Sequence, residues 1–413
     1  MATVRPFKGI RAPKDIAPKL AALPYDVMNS EEARKMAEGN PHSFLHVTKP
    51  EIDLDPGIDL YDPSVYAKAR ENFQLFLKKG YLKQDPGAWF YIYKQVMDGR
   101  SQIGLMCCCA AEEYWNDTIK KHELTRADKE EDRLKHVDTI NANAGPVFLT
   151  YKAKDSINSL IDKSIVDSPE YDFTSNDGIR HVLWVVKDST WSKNIIAEFA
   201  KIPFLYVADG HHRSAAASRI AKVRREQNVK HTGSEEYNFF LAVLFPHNHL
   251  YIMDYNRAVK DLNGLSQDAF LKKVEEKFTV EKTSEKKPDR ALSFGMYLKG
   301  QWYKLTAKHG SFDPKDPVGC LDVSILQKNL LEPVLSIGDP RKDKRIDFIG
   351  GIRGMSELER IVNEGKAAVS FSMYPTSIEQ LMAIADKGMI MPPKSTWFEP
   401  KLRSGVVIHS LAD

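Results

Sequence analysis

The stretch "PFLYVADGHHRSAAASRIAKVRREQ", residues 203–227, restricts the fold more than any other part of the chain. Its first half is apolar and β-prone and reads as a buried strand, and its second half is rich in alanine and other helix formers. Gly210 stands at the junction, where a residue free to take positive φ lets a ligand come close to the backbone. A strand that runs straight into a helix presents unpaired N–H groups and the positive end of the helix dipole, an arrangement suited to an anion. Arg213 adds a planar fork that matches phosphate oxygens. His211 or His212 adds a hydrogen bond or, if protonated, a charge. Asp209 at the strand end can hold magnesium or orient a hydroxyl. The plainer alternative makes Asp209 an N-cap, Arg213 a surface partner and one histidine a core filler. Neighbouring histidines on a helix diverge by about 100°, and no further ligand stands at zinc-finger spacing, so zinc is not expected. A Walker-type loop, Gly-x-x-x-x-Gly-Lys-Ser/Thr, is absent from the sequence.

Local signals predict a mixed α/β chain. A helix is expected from Ser30, with Glu31 and Glu32 in its first turn. "SVYAKARENFQLFLKKG" predicts an amphipathic helix ended by Gly80. "AWFYIYKQVMDGRSQIGLMCCCA" predicts two strands around an Asp98-Gly99 turn. Thr125 and Asp128 have the spacing of a capping box, which predicts a helix from about Thr125. Further strands and helices follow to the C-terminus. The length, 413 residues, and these signals suggest three parts: an N-terminal α/β domain over 1–112, a core over 113–246 that carries the glycine corner and a C-terminal α/β domain over 247–413.

Composition excludes several classes. Net charge is +3, too mild for a nucleic-acid binder that relies on a basic face. No apolar run approaches the roughly 18 residues of a membrane span, and the first residues lack a signal-peptide core. Three of the four cysteines are adjacent, Cys107 to Cys109. Such neighbours alternate faces on a strand, so they read as buried small hydrophobes rather than a metal site or a disulfide framework. A cytoplasmic protein is expected.

Three boxes carry a resemblance. "VADGHHRSAA" resembles the "DGHHR" box of the ParB/sulfiredoxin-like superfamily, which includes the free-serine kinases. "KKHELTRADKEED" resembles the "HE" segment of those kinases, and "KGMIMPPKSTWFEPKL" resembles their C-terminal Pro-Lys-Thr segment. The opening "VRPFKGIRAP" and the ending "WFEPKLRSG" resemble a long bacterial branch catalogued as a domain of unknown function. The resemblance implies a ParB/sulfiredoxin-like nucleotide-binding core within an α+β chain. It implies a kinase for the hydroxyl of free L-serine or a similar metabolite, with Mg2+ and ATP or ADP. In that scheme Glu123 is the catalytic base, assisted by Asp209, which also holds the metal. Gly210, His211, His212 and Arg213 bind the phosphates, while Lys394 and Thr396 bind the substrate. Two departures touch the acceptor pocket: Lys129 stands where the kinases carry an acid, and Phe398 where they carry a histidine. The competing expectation is a ParB-like nucleotide switch on DNA, against which stand the mild charge and the lack of a helix-turn-helix. A sulfiredoxin-like reductase would need a cysteine at the corner that reads His211-His212 here. The expected partners are a nucleotide and a serine-like molecule, with no membrane and no nucleic acid, and with room for a homo-oligomer.

Overall fold

The computed structural model describes residues 1–413. They form two compact units: Met1–Lys121, Thr125–Leu250 and Pro400–Asp413 make the first, and His122–Leu124 with Tyr251–Glu399 make the second.

The first unit is built on a nine-stranded mixed sheet. Its strands are β1 (Val4–Arg5), β2 (Phe90–Met97), β3 (Arg100–Ala110), β4 (Ile119–Lys120), β5 (Val147–Tyr151), β6 (Tyr171–Thr174), β7 (Arg180–Val186), β8 (Leu205–Asp209) and β9 (Phe239–Pro246). They lie in the order β4-β8-β5-β9-β3-β2-β7-β6, with β1 alongside β3. The β5–β9 and β4–β8 pairs are parallel and the others antiparallel. The β2–β3 hairpin turns at Asp98 and Gly99, both at positive φ (50° and 76°), as a two-residue Asp-Gly turn requires. Cys107 and Cys109 join Leu105, Ile92, Leu149 and Val207 in one apolar core. All three adjacent cysteines are fully buried, in agreement with the packing role read from their spacing.

The expected boundary after residue 112 runs through the middle of this sheet. Residues 105–110 of β3 pair with 239–244 of β9, from Leu105↔Leu244 to Ala110↔Phe239. Residues 1–112 therefore share one core with the segment expected to be a separate domain. The C-terminal residues also belong here, because Ile408–Ser410 pairs with Gly9–Arg11 and with Ala142–Asn143. Such pairings join segments far apart in the chain, and no local pattern announces them.

Three helices of this unit bear on the site. Helix α1 (Pro63–Lys78) has Pro63 in its first turn and is capped by Asp62, which accepts from Ser64 N–H. Helix α2 (Ala127–Ile140) lacks the expected capping box: its N-cap is Arg126, with no side-chain cap bond. The Thr125 hydroxyl instead donates to Glu130 at 2.8 Å, and Arg126 holds Asp128 at 2.8 Å. Helix α3 (His211–Gln227) buries Ala215, Ala216 and Ala217, small residues that permit close packing. Arg219 joins α3 to Glu130 and Glu131 of α2 at 3.0 Å each, and Tyr66 of α1 donates to Asp132 of α2 at 3.0 Å.

The second unit contains a six-stranded antiparallel sheet. Its strands are β10 (Tyr255–Val259), β11 (Phe278–Thr283), β12 (Ser293–Leu298), β13 (Gln301–Ala307), β14 (Ile346–Gly350) and β15 (Val369–Ser372). Helix α4 (Met355–Asn363) packs Leu358 and Val362 against Ala258, Tyr297 and Trp302. Helix α5 (Ile378–Asp386) starts in a full capping box between Ser377 and Gln380 and leads toward the Pro392–Thr396 loop. Together the units confirm a mixed α/β chain. No helix is long and apolar enough to cross a membrane.

Candidate functional site

The strand-to-helix corner forms as the sequence suggests. Strand β8 ends at Asp209, and Gly210 takes φ 94° and ψ 32° as the N-cap residue, without a side-chain cap. A Cβ at Gly210 would lie 3.4 Å from the Arg213 guanidinium and 3.6 Å from Val147 Cα. Both the left-handed backbone and the close neighbours favour glycine. Asp209 is therefore not the helix cap.

Asp209 has two cationic neighbours. Its Oδ2 lies 3.6 Å from Lys401 Nζ and 3.7 Å from Arg213 Nη2. Burial pushes the carboxyl up, but Lys401, Arg213 and His211 outweigh it and hold the group down at about 2. The expected magnesium role fits this geometry poorly. The one carboxylate is already neutralised, and a resident divalent ion would have to sit beside two cations. Lys401 is itself buried. Sequence reasoning passed over it, because nothing in "FEPKL" signals that its ammonium returns to a strand end nearly two hundred residues upstream.

Of the hydrogen bond or charge expected from the two histidines, the structure speaks for hydrogen bonding. His211 is buried, and that burial pushes its pKa down to about 4, so the ring is neutral near pH 7. His212 Nε2 accepts the Arg126 N–H at 3.1 Å, which places the ring proton on Nδ1 and ties the start of α2 to the start of α3. Arg213 donates from Nη1 to the Pro146 carbonyl, and its side chain is only 12% exposed. It is a largely buried group rather than an open surface fork, and its Nε is buried without a hydrogen-bond partner.

The second unit holds the other residues singled out from the sequence. Glu123 is half-buried, and the chain beside it is fixed by Met391 N–H donating to the His122 carbonyl at 2.8 Å. That bond brings the His122–Leu124 segment to the chain just before the Pro392–Thr396 loop. In the loop, Lys394 is exposed and takes φ 59°, a left-handed conformation uncommon for a residue with a Cβ. The loop is braced by Thr376 Oγ1 donating to Ser395 O at 3.0 Å and by Ser395 Oγ donating to Pro392 O at 2.6 Å. Arg257 Nη2 donates to Lys394 O at 2.9 Å. Thr396 is half-buried beside these groups in sequence. Arg257, also missed in the sequence, is fully buried, and burial pushes its pKa down to about 10. Its charge is met by the Tyr255 and Lys394 carbonyls and by the Tyr255 and Phe348 rings.

The chain belongs to the family described as "Protein of unknown function (DUF1015)", whose family model matches residues 4–324. No curated protein matches the chain. Among solved structures, it has a weak likeness to a free serine kinase in complex with AMP, with 12% identity, a TM-score of 0.35, and coverage of 68% of this chain and 84% of that one. A conserved hypothetical protein from Pyrococcus furiosus matches with 12% identity and a TM-score of 0.36, over 70% of this chain and 90% of that one. SbnI from Staphylococcus aureus, with a C-terminal truncation, matches with 11% identity and a TM-score of 0.36, over 71% and 82%. Likenesses at this level carry no argument about activity.

Proposed function

We propose that the protein is a nucleotide-dependent small-molecule kinase that phosphorylates the hydroxyl of free L-serine or a similar hydroxyl metabolite. The observation that carries this reading is the corner at Gly210, where an uncapped 17-residue helix starts from a left-handed glycine beside Arg213 and the buried Lys401. Uncapped N–H groups, a helix dipole and nearby cations favour a polyanion. In this scheme Gly210 and the first turn of α3 receive the phosphates. His211 contributes a neutral hydrogen-bonding ring, and His212 and Arg213 hold the corner in shape. Glu123 accepts the substrate hydroxyl proton. The substrate oxygen then bonds to the terminal phosphorus as the bond to the nucleotide leaving oxygen breaks. Lys394 and Thr396 receive the phosphorylated group. Any magnesium arrives with the nucleotide as part of the substrate, and no step here is assigned to it.

The test is to incubate the pure protein with ATP or ADP, magnesium and L-serine and to look for O-phosphoserine. Glu123→Gln should lower transfer by roughly 10²–10⁴-fold, the usual contribution of a general base, and leave nucleotide affinity unchanged. Lack of product with either nucleotide and a panel of hydroxyl metabolites, from folded protein, would refute the reading.

A further inference from the structure

The first unit contains a cavity of about 40 Å3 that shares Arg213 with the glycine corner and is otherwise unused by the kinase scheme. Its lining draws on separate parts of the chain: Tyr25, Arg133 and His136, Gly145, Arg213 and Ser404. Tyr25 belongs to the "PYDV" motif, to which the sequence assigns no chemistry. Its ring lies against Arg133, with the guanidinium carbon 3.8 Å from the ring centroid; burial and then Asp26 push the phenol up, and Arg133 and Arg213 oppose this only in part. Gly145 keeps the space open, since a Cβ there would lie 2.7 Å from Ser404 Oγ and 3.8 Å from Arg213 Nη1.

The charged groups of the lining itself are both cations. Two guanidinium groups, a phenol, two hydroxyls and the Asn143 amide line the space beside an apolar wall, and no Asp or Glu does. Arg213 Nε is buried with no hydrogen-bond partner, a donor whose desolvation is not compensated by the protein. His136 is neutral, pushed down to about 4 by its burial, and so brings no third cation. The charges of Arg133 and Arg213 are also met from outside the lining, by Asp132 at 2.7 Å and Asp209 at 3.7 Å. With those pairs already made, the space suits one small acceptor group of at most a single negative charge rather than a polyanion. On this scale a water needs about 10–15 Å3, so the space suits about three water-sized atoms, the size of a carboxylate or the exposed face of a phosphate.

We propose that this cavity is a binding site for one small oxyanion, a carboxylate or phosphate group held by Arg133, Arg213 and Tyr25. Where the ligand is the carboxylate of an amino-acid acceptor, the assignment deepens the kinase reading and rests on it; the oxyanion site itself does not.

The test is calorimetric titration of the full-length protein with sodium phosphate, acetate, L-serine and ethanolamine, at constant ionic strength and without nucleotide. Saturable binding of one equivalent of phosphate or acetate is expected. Acetate and L-serine binding without ethanolamine binding identifies a carboxylate source, and phosphate binding alone identifies a phosphate source. Arg133→Met should weaken the bound anion by about tenfold or more, the usual loss of a charged hydrogen bond. Because Arg133→Met removes the cation beside Asp132, Ala217→Leu supplies a second variant that fills the same cavity and keeps both arginines; it should abolish binding. Absence of saturable binding to the folded protein, or affinity unchanged in both variants, overturns the proposal. Since no nucleotide is present, either result stands apart from the outcome of the phosphoryl-transfer assay.

Discussion

Asp209→Asn isolates the electrostatics of the corner with almost no change of shape. The native carboxyl is held down at about 2, from an ordinary value of 3.8, and each unit of such a shift corresponds to about 1.4 kcal/mol. The Asp209 side chain keeps 28% of its exposure, so water screens part of this and a loss of about 2 kcal/mol at pH 7 is expected. For a unit of this size that corresponds to a fall of about 4–8 °C in the melting temperature of the first unit. The sign follows from the depressed value. The contribution is fully present above about pH 4 and fades as pH falls toward 2, so the gap between wild type and variant should be constant from pH 5 to 8 and close in acid. Lys401→Met removes one of the two cations, and in the double variant Asp209→Asn costs less than it does alone, by at least about 0.5 kcal/mol. Differential scanning calorimetry across pH, with the double-mutant cycle at pH 7, measures both. Strict additivity, or a variant as stable as wild type, would show that Asp209 and Lys401 do not form a working pair.

Other consequences are open to direct measurement. Gly210→Ala forces a Cβ onto a left-handed residue and should destabilise the first unit by about 1–2 kcal/mol, read from denaturant unfolding. Arg257→Met exchanges a buried cation for an apolar side chain of similar length. It should change global stability by no more than about 1 kcal/mol while speeding amide exchange at residues 394–396, because the brace on Lys394 O is lost; unchanged exchange there would contradict that role. Burial raises the Asp322 carboxyl to about 7, so ionisation is disfavoured in the fold. The second unit should lose stability as pH rises from about 4 to 7, by up to about 4 kcal/mol. Asp322→Asn keeps an acceptor for Leu292 N–H, bonded at 2.8 Å in the native protein, and should flatten that pH profile.

Short-range chemistry was legible in the residues themselves. The Asp98-Gly99 turn, the helix ended by Gly80, the glycine corner at 210 and the burial of Cys107 to Cys109 all follow from groups within a few positions of one another. Where a local signal failed, at the Thr125 capping box, a competing partner at Glu130 had taken the hydroxyl. The charges of the site were decided only by tertiary structure. The neutrality of His211 comes from burial, the pairing of Asp209 with Lys401 from a C-terminal segment that returns to the first unit, and the placing of Tyr25 against Arg133 from the packing around α2. The division of the chain was decided there too, since β3 and β9 share one sheet across the expected boundary and residues 122–124 belong to the second unit. Caps and turns depend on neighbours along the chain. Ion pairs, desolvation and strand order depend on which distant segments exclude water from one another, and that is settled only when the whole chain has folded.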